Sequence, residues 1–411
     1  MSVGTLEHTS TGSRELQEFR ETYSTPEVLE LFGRLDVMEQ ANIDTPPIDL
    51  YKIHPDSNVS IGNILASEAP GGSFKARGAM FASLKAYEDG AETTVSASAG
   101  NHGQGMSYAV QVINERNKTT DQAALKTILH MPGSTPEVKI NGVKHLGGGF
   151  VDIDLSSVSF EEAQEKAIST ANQNPESTRF ISPFNDYDVI SGQGTAVLQA
   201  LIDNPEADEL HVGVGGGGLM AGVLETAVSL KKEGLINPNL KVVAIMLEGN
   251  DSLFQTQKNN WIPSPATAVD TFTEGTAVQQ IGDIPAEMIA MYADHIEMEF
   301  VTKDDMAREL LEIENRNYER SLEGEKVYPI PETTTLAILA GTTKRALKHD
   351  TEGSGKKQFL TLSTGKNADP KKLQELYVRG DQLMTLAKEY NKKITTSIGR
   401  MSVLGGFVGA R

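Results

Sequence analysis

The run Gly215-Gly216-Gly217-Gly218 constrains the fold of this chain more than any other segment. His211-Val212-Gly213-Val214 leads into it as an apolar, strand-like stretch. Leu219-Met220-Ala221-Gly222-Val223-Leu224 follows it as an apolar helix start. Glycine lets the backbone turn its amides inward with no side chain in the way. The amino end of a helix adds partial positive charge. Such a strand-to-helix turn suits an anion, above all a phosphate. The spacing is neither G-x-G-x-x-G nor a Walker A sequence, because no Lys-Ser or Lys-Thr closes it. Read alone, the loop is an anion cradle or simply a tight turn.

Two further segments carry chemistry. In Gly72-Ser73-Phe74-Lys75-Ala76-Arg77-Gly78, Lys75 begins a helical stretch running to about Ala86. Arg77 is expected to lower the lysine pKa, which would make the amine a better nucleophile and base; the plainer reading is a surface lysine at a helix start. Ser98-Ala99-Gly100-Asn101-His102 follows a short strand, Thr93 to Ser98, and opens a helix. Its free amides and hydroxyl suit a carboxylate. The Asn101 amide suits a phenolic oxygen, and His102 fits a loop-shaping role better than that of a base. An amine that can form an imine, paired with a loop that can hold a phosphate, is what a pyridoxal phosphate enzyme requires.

The rest of the chain alternates. Strands are predicted at Val59 to Ala66, Leu125 to Met131, Gly149 to Ile153, Leu210 to Val214 and Val242 to Leu247. Helices are predicted from Gly103 to Val112, from Thr135-Pro136, from Ser159 to Asn172 and from Leu219 to Lys232. This order predicts an α/β protein of mostly parallel, twisted sheets flanked by helices. At 411 residues the chain exceeds one small core, so two lobes are expected. The division is an N-terminal helical arm over 1–44, a large lobe over 45–92 and 182–380, a small inserted lobe over 93–181, and a tail over 381–411. The arm should hold two helices around Thr25-Pro26. A formal charge of −19 argues against nucleic acid and anionic membranes as partners. With no cysteine, disulfides, thiolate metal sites and cysteine nucleophiles are excluded, and a cytoplasmic location is expected. The N-terminus has no signal-peptide core, and no apolar run reaches the roughly 20 residues that span a bilayer.

The phrases SFKARGA, SAGNHGQG, MPGSTPEVK, PFNDYDVISGQGT and GVGGGGLMAGV, in that order, resemble the fold-type II pyridoxal phosphate enzymes, and among them the threonine dehydratases and serine dehydratase/racemases. The resemblance runs from about Thr45 to about Leu373. It implies pyridoxal 5′-phosphate joined to Lys75 as a Schiff base, with its phosphate on Gly215, Gly216, Gly217, Gly218 and Leu219. It also implies Asn101 at the 3′-oxygen, Thr364 at the pyridine nitrogen, and Ser98, Ala99, Gly100, Asn101 and His102 around the substrate carboxylate. A hydroxyl at the nitrogen makes the ring a moderate electron sink. The implied reaction is elimination from threonine or serine to a 2-oxo acid and ammonia by a homodimer or homotetramer. Racemases carry serine where this chain has Ala99, so elimination is favoured over racemisation; threonine synthases carry aspartate where it has Ala76, and a β-replacement enzyme, which shares the aminoacrylate intermediate, stays an open alternative. A non-catalytic relative that keeps the cofactor loop is the reading from another class.

The departures are local. The usual KxED ahead of the lysine reads Ile64-Leu65-Ala66-Ser67 here, and EPxGA reads Pro331-Glu332-Thr333-Thr334-Thr335, with acid and proline reversed. That second segment lies near the substrate and ring in relatives. Met246 takes the place of the first cation ligand, with Glu248 and Asp251 fitting only by a shift, so no metal is expected. With only about 40 residues past Asp369, regulation through the C-terminal domain that many biosynthetic threonine dehydratases carry is not expected.

Overall fold

The computed structural model describes residues 25–98, 100–118, 123–353 and 355–385. Ala99, the first part of the arm and the tail beyond 385 lie outside the described residues. In chain order the elements are α1 (Pro26–Gln40), β1 (Ile48–Tyr51), β2 (Val59–Ile64), α2 (Lys75–Glu88), β3 (Thr93–Ala97), α3 (Asn101–Arg116), β4 (Lys126–Pro132), α4 (Glu137–Gly147), β5 (Val151–Ser157), α5 (Phe160–Gln173), β6 (Thr178–Phe180), α6 (Tyr187–Asp203), β7 (Glu209–Gly213), α7 (Gly218–Lys232), β8 (Lys241–Leu247), α8 (Ser252–Lys258), α9 (Asp283–Met291), β9 (Ile296–Val301), α10 (Lys303–Glu323), α11 (Thr333–Glu352) and β10 (Lys357–Leu362).

The strands form two sheets. One runs β1-β2-β10-β7-β8-β9 and the other β5-β4-β3-β6. Every pairing is parallel except β1 with β2. The reason shows in β8, where Val242, Ala244 and Met246 face one core and Val243, Ile245 and Leu247 the other. A strand covered on both faces reads as a continuous apolar run, as buried parallel strands do. In the smaller sheet, Val95 and Ala97 of β3 pack on Ala163 and Ala167 of α5. Leu129 and Met131 of β4 meet Met106 of α3 on the opposite side. Helix α1 opens with proline at its first position, where a missing amide is no loss. Its Val28, Leu31, Phe32 and Leu35 join the core of the larger sheet.

Several boundaries moved for local reasons. The strand predicted from Gly149 begins at Val151, because 148–150 form a 3-10 turn with Gly148 at φ 55°. The strand predicted to reach Ala66 stops at Ile64, since Ala66 opens another such turn. Pro136 stands just before α4 rather than inside its first turn.

Helices α6 and α7 cross almost backbone to backbone. A β-carbon on Gly222 would strike the Ile190 carbonyl oxygen and come within 2.9 Å of the Gly194 amide nitrogen. That closeness sets where the glycine loop at the head of α7 lies. Gly222→Ala should therefore destabilise the fold by about 1–3 kcal/mol, the usual cost of overpacking. The check is a lower urea midpoint at unchanged denaturant slope.

Candidate active site

Lys75 is the first residue of α2, and the chain reaches it through a tight turn. Gly71 and Gly72 both take positive φ, 75° and 72°, where a β-carbon is strained. The turn is then clasped to the end of β10. The Ser73 hydroxyl donates to the Thr364 carbonyl at 3.0 Å, and the Phe74 amide donates to the same oxygen at 3.1 Å. The Lys366 amide closes the clasp by donating to the Gly72 carbonyl at 3.1 Å.

From that start the Lys75 Nζ reaches the Pro183 carbonyl at 2.7 Å. Burial draws its pKa down to about 8, opposed by the nearby Glu332 carboxylate. The expected influence of Arg77 is absent. Its guanidinium is fully buried and donates to the Thr195 hydroxyl at 3.2 Å and to the Asp44 carbonyl. Desolvation, not a neighbouring cation, lowers the amine.

The segment that receives the amine also shapes the glycine loop. A β-carbon on Gly216 would enter the Phe184 ring, one on Gly218 would lie 2.7 Å from the Phe184 carbonyl oxygen, and one on Gly215 would lie 2.8 Å from that of Gly275. Gly217 sits at φ 87° as the residue before α7. Side chains are thus excluded at all four positions. Among the described residues, the amides of Gly215, Gly216 and Gly217 find no acceptor. Those of Gly218 and Leu219 open the helix, where no preceding turn offers one. A run of unsatisfied amides at a helix start fits a phosphate.

The 98–102 loop is organised from within. Ser98 Oγ accepts from the amides of Gly103 at 3.0 Å and Gly100 at 3.3 Å, so its hydroxyl holds the start of α3. The amides of Asn101 and His102 lie in the first turn of that helix, as the amides of a carboxylate site would. Asn101 Nδ2 donates to Glu332 Oε2 at 3.4 Å, and its Oδ1 accepts from Asn367 Nδ2 at 3.0 Å. His102 is buried beside the Ile181 backbone. Burial, and then the Lys75 charge, hold its pKa down to about 3, so the imidazole stays neutral and suits packing. Ala99, on which the racemase comparison turned, lies outside the described residues.

Thr364 is buried at the end of β10, its hydroxyl 3.3 Å from that of Thr335. Two residues given no role from sequence come to the same groups: Pro183, which receives the amine, and Glu332, whose carboxyl meets Asn101 and Thr364. The sequence signal for Glu332 was an acid standing where relatives have proline. Asp251 is engaged with Thr267 and Gln255, and among the described residues no three histidines or acids gather as metal ligands.

The chain belongs to the pyridoxal-phosphate dependent enzyme family, whose model matches residues 39–365. It is 32% identical over 311 residues to the biosynthetic L-threonine dehydratase of Pasteurella multocida, a stretch covering 75% of this chain and 54% of that protein. The chain spans about half the length of the curated relatives it matches. The processed form of threonine deaminase isoform 2 from Solanum lycopersicum superposes with a TM-score of 0.70 at 26% identity, covering 86% of this chain and 89% of that one. Serine racemase from Dictyostelium discoideum does so with a TM-score of 0.65 at 25% identity, covering 82% and 98%. No helix among the described residues is long and apolar enough to cross a membrane.

Two outcomes follow from this geometry. Gly216→Ala puts a methyl group against the Phe184 ring and should weaken pyridoxal 5′-phosphate binding by roughly tenfold or more, the worth of one charge-assisted hydrogen bond. Pyridoxal, which lacks the phosphate, should bind as before, and equilibrium dialysis of both compounds checks the contrast. The second outcome concerns pH. With the Lys75 pKa lowered to about 8, the neutral amine grows in proportion as pH rises to that value and is then saturated. The rate at which apoenzyme captures the cofactor's aldehyde should climb with pH to about 8 and level off above it, as stopped-flow absorption would record.

Proposed function

We propose that the chain is an ammonia-lyase that converts threonine or serine to a 2-oxo acid and ammonia. The observation that carries this reading is the buried Lys75 amine with its lowered pKa, beside two separate stretches of backbone amides at helix starts. One amine between two anion sites matches an amino acid handled next to a phosphate-bearing group. The similarity to a threonine dehydratase and a threonine deaminase supports the choice of substrate.

In this reading Gly215 to Leu219 hold the phosphate, Asn101 the phenolic oxygen and Thr364 the ring nitrogen. When bound, pyridoxal 5′-phosphate supplies a ring that accepts the electron pair left by a departing Cα proton. The rest is done by the chain. The loop from Ser98 to His102 fixes the substrate carboxylate through its first-turn amides. The Lys75 amine, in the neutral form that its lowered pKa makes more available, takes the Cα proton. The Cα electrons form the Cα–Cβ double bond, and the Cβ–O bond breaks so that the hydroxyl leaves with its pair. The released unsaturated amine then takes up water to give the 2-oxo acid and ammonia. His102 keeps the loop packed and exchanges no proton.

The two sheets support a large lobe over 45–92 and 182–380 and a small one over 93–181, with the cleft between them. We assign the enzyme to the cytosol as a homodimer or homotetramer; the absence of cysteine is consistent with that compartment.

The test is a screen of L- and D-threonine and serine for coupled release of keto acid and ammonia. L-threonine or L-serine should turn over, and Lys75→Ala should lose roughly three or more orders of magnitude, as expected for a group that is both anchor and base. Turnover only with an added thiol, or a chain that never takes up the cofactor, would overturn the assignment.

A further inference from the structure

We propose that the carboxyl group of Glu332 is the proton-sharing partner of the cofactor's ring nitrogen, with Thr364 beside it. This rests on the reading above, in which the ring lies between Lys75 and Thr364.

The first observation is where the side chain does not go. Glu332 is the residue just before α11, with extended φ −62° and ψ 160°. An acid there ordinarily folds back to accept amides of the first turn. This one makes no such bond. Its Oε2 instead accepts from Asn101 Nδ2 at 3.4 Å, and its carboxyl meets Thr364. Those are the two residues assigned to the ring's phenolic oxygen and its nitrogen.

The second observation is what holds it there. The Glu332 amide donates to the Gly365 carbonyl at 3.2 Å, so the backbones of 332 and 365 run side by side. A β-carbon on Gly365 would collide with the carboxyl carbon and both oxygens of Glu332. The carboxyl therefore lies directly on the bare α-carbon of the residue after Thr364.

The third observation is charge. Among the described residues Glu332 forms no ion pair. The charged groups that face it are Lys75, Glu274 and Lys139. Burial, reinforced by the Glu274 charge, raises its pKa to about 7. A buried carboxylate without a cation at ion-pair distance is costly, and a pyridinium is a cation that the bound cofactor would supply. A hydroxyl cannot carry the countercharge of a protonated ring, whereas a carboxyl can. The ring then withdraws electrons more strongly than Thr364 alone would allow.

The experiment reads the nitrogen itself. Holoenzyme is loaded with pyridoxal 5′-phosphate labelled with ¹⁵N in the ring, and the ¹⁵N chemical shift is recorded for the wild type, Glu332→Gln and Thr364→Val. The expected result is a pyridinium-like signal in the wild type, a shift to the unprotonated position in Glu332→Gln, and little change in Thr364→Val. An unprotonated ring in the wild type, or a shift in Thr364→Val alone, overturns the inference. Should Glu332→Gln fail to retain the cofactor, Thr364→Val decides: a signal that stays pyridinium-like supports Glu332, and one that moves assigns the nitrogen to the hydroxyl. The same samples are reduced with borohydride and the modified peptide is sequenced. Label anywhere but Lys75 would overturn the proposed function and this inference with it, which separates the two failures.

Discussion

The arrangement depends on a clasp between the turn before α2 and the end of β10. The Thr364 carbonyl oxygen accepts from both the Ser73 hydroxyl and the Phe74 amide, and Ser73 and Thr364 are almost completely buried. Hydrogen bonds with no access to water cannot be exchanged for solvent, so losing one leaves a desolvated group without a partner. Lys75 follows one residue later. The backbone that carries Lys75 is therefore anchored by the end of a strand nearly three hundred residues away in sequence. Through the antiparallel bridge from Ser73 to Gly365 the same clasp fixes Glu332, because the carboxyl lies on Gly365.

Where chemistry is written in contiguous residues, the sequence was readable. The glycine loop needs only its own four residues and the apolar segments on each side to declare a strand, a bare turn and a helix, and β7 and α7 lie there. The buried parallel strand β8 announced itself as an apolar run for the same reason. Strands β1, β6, β9 and β10 were not predicted, and the two shortest show why. β1 is four residues long and only partly buried, and its sole neighbour is β2. β6 is three residues long and exists because β3 offers it an edge. Neither carries a periodic pattern that a local reading can use.

The site residues divide in the same way. Lys75 and the glycines were named from local context, but the cause of the lowered amine pKa was not. Arg77 is adjacent in sequence and suggested a charge effect. In the fold its guanidinium is committed to Thr195 and Asp44, and burial does the lowering. Sequence adjacency predicts electrostatic influence poorly on a helix, where residues two apart point to different sides. Pro183 opens the recognised segment PFNDYDVISGQGT, but nothing there marked its role, because it acts through its backbone carbonyl, which any residue possesses.

Glu332 shows how one substitution in a motif imposes a second requirement. An acid before a helix has a stable resting place on the first-turn amides, so turning it toward Asn101 requires something to hold the alternative. Here that is Gly365, whose missing β-carbon leaves room for the carboxyl on the backbone next to Thr364. Any larger residue at 365 would push the acid back toward the helix or out of the cleft. The Glu332 carboxyl and the bare α-carbon of Gly365 are thus one packed unit. Together they set Glu332, with a pKa near 7, and Lys75, with a pKa near 8, in one cleft. Desolvation moves a carboxyl up and an amine down, so a single dry cleft brings the two within reach of a shared proton inventory near neutrality. Burial therefore moves Lys75 and Glu332 from opposite sides toward neutrality.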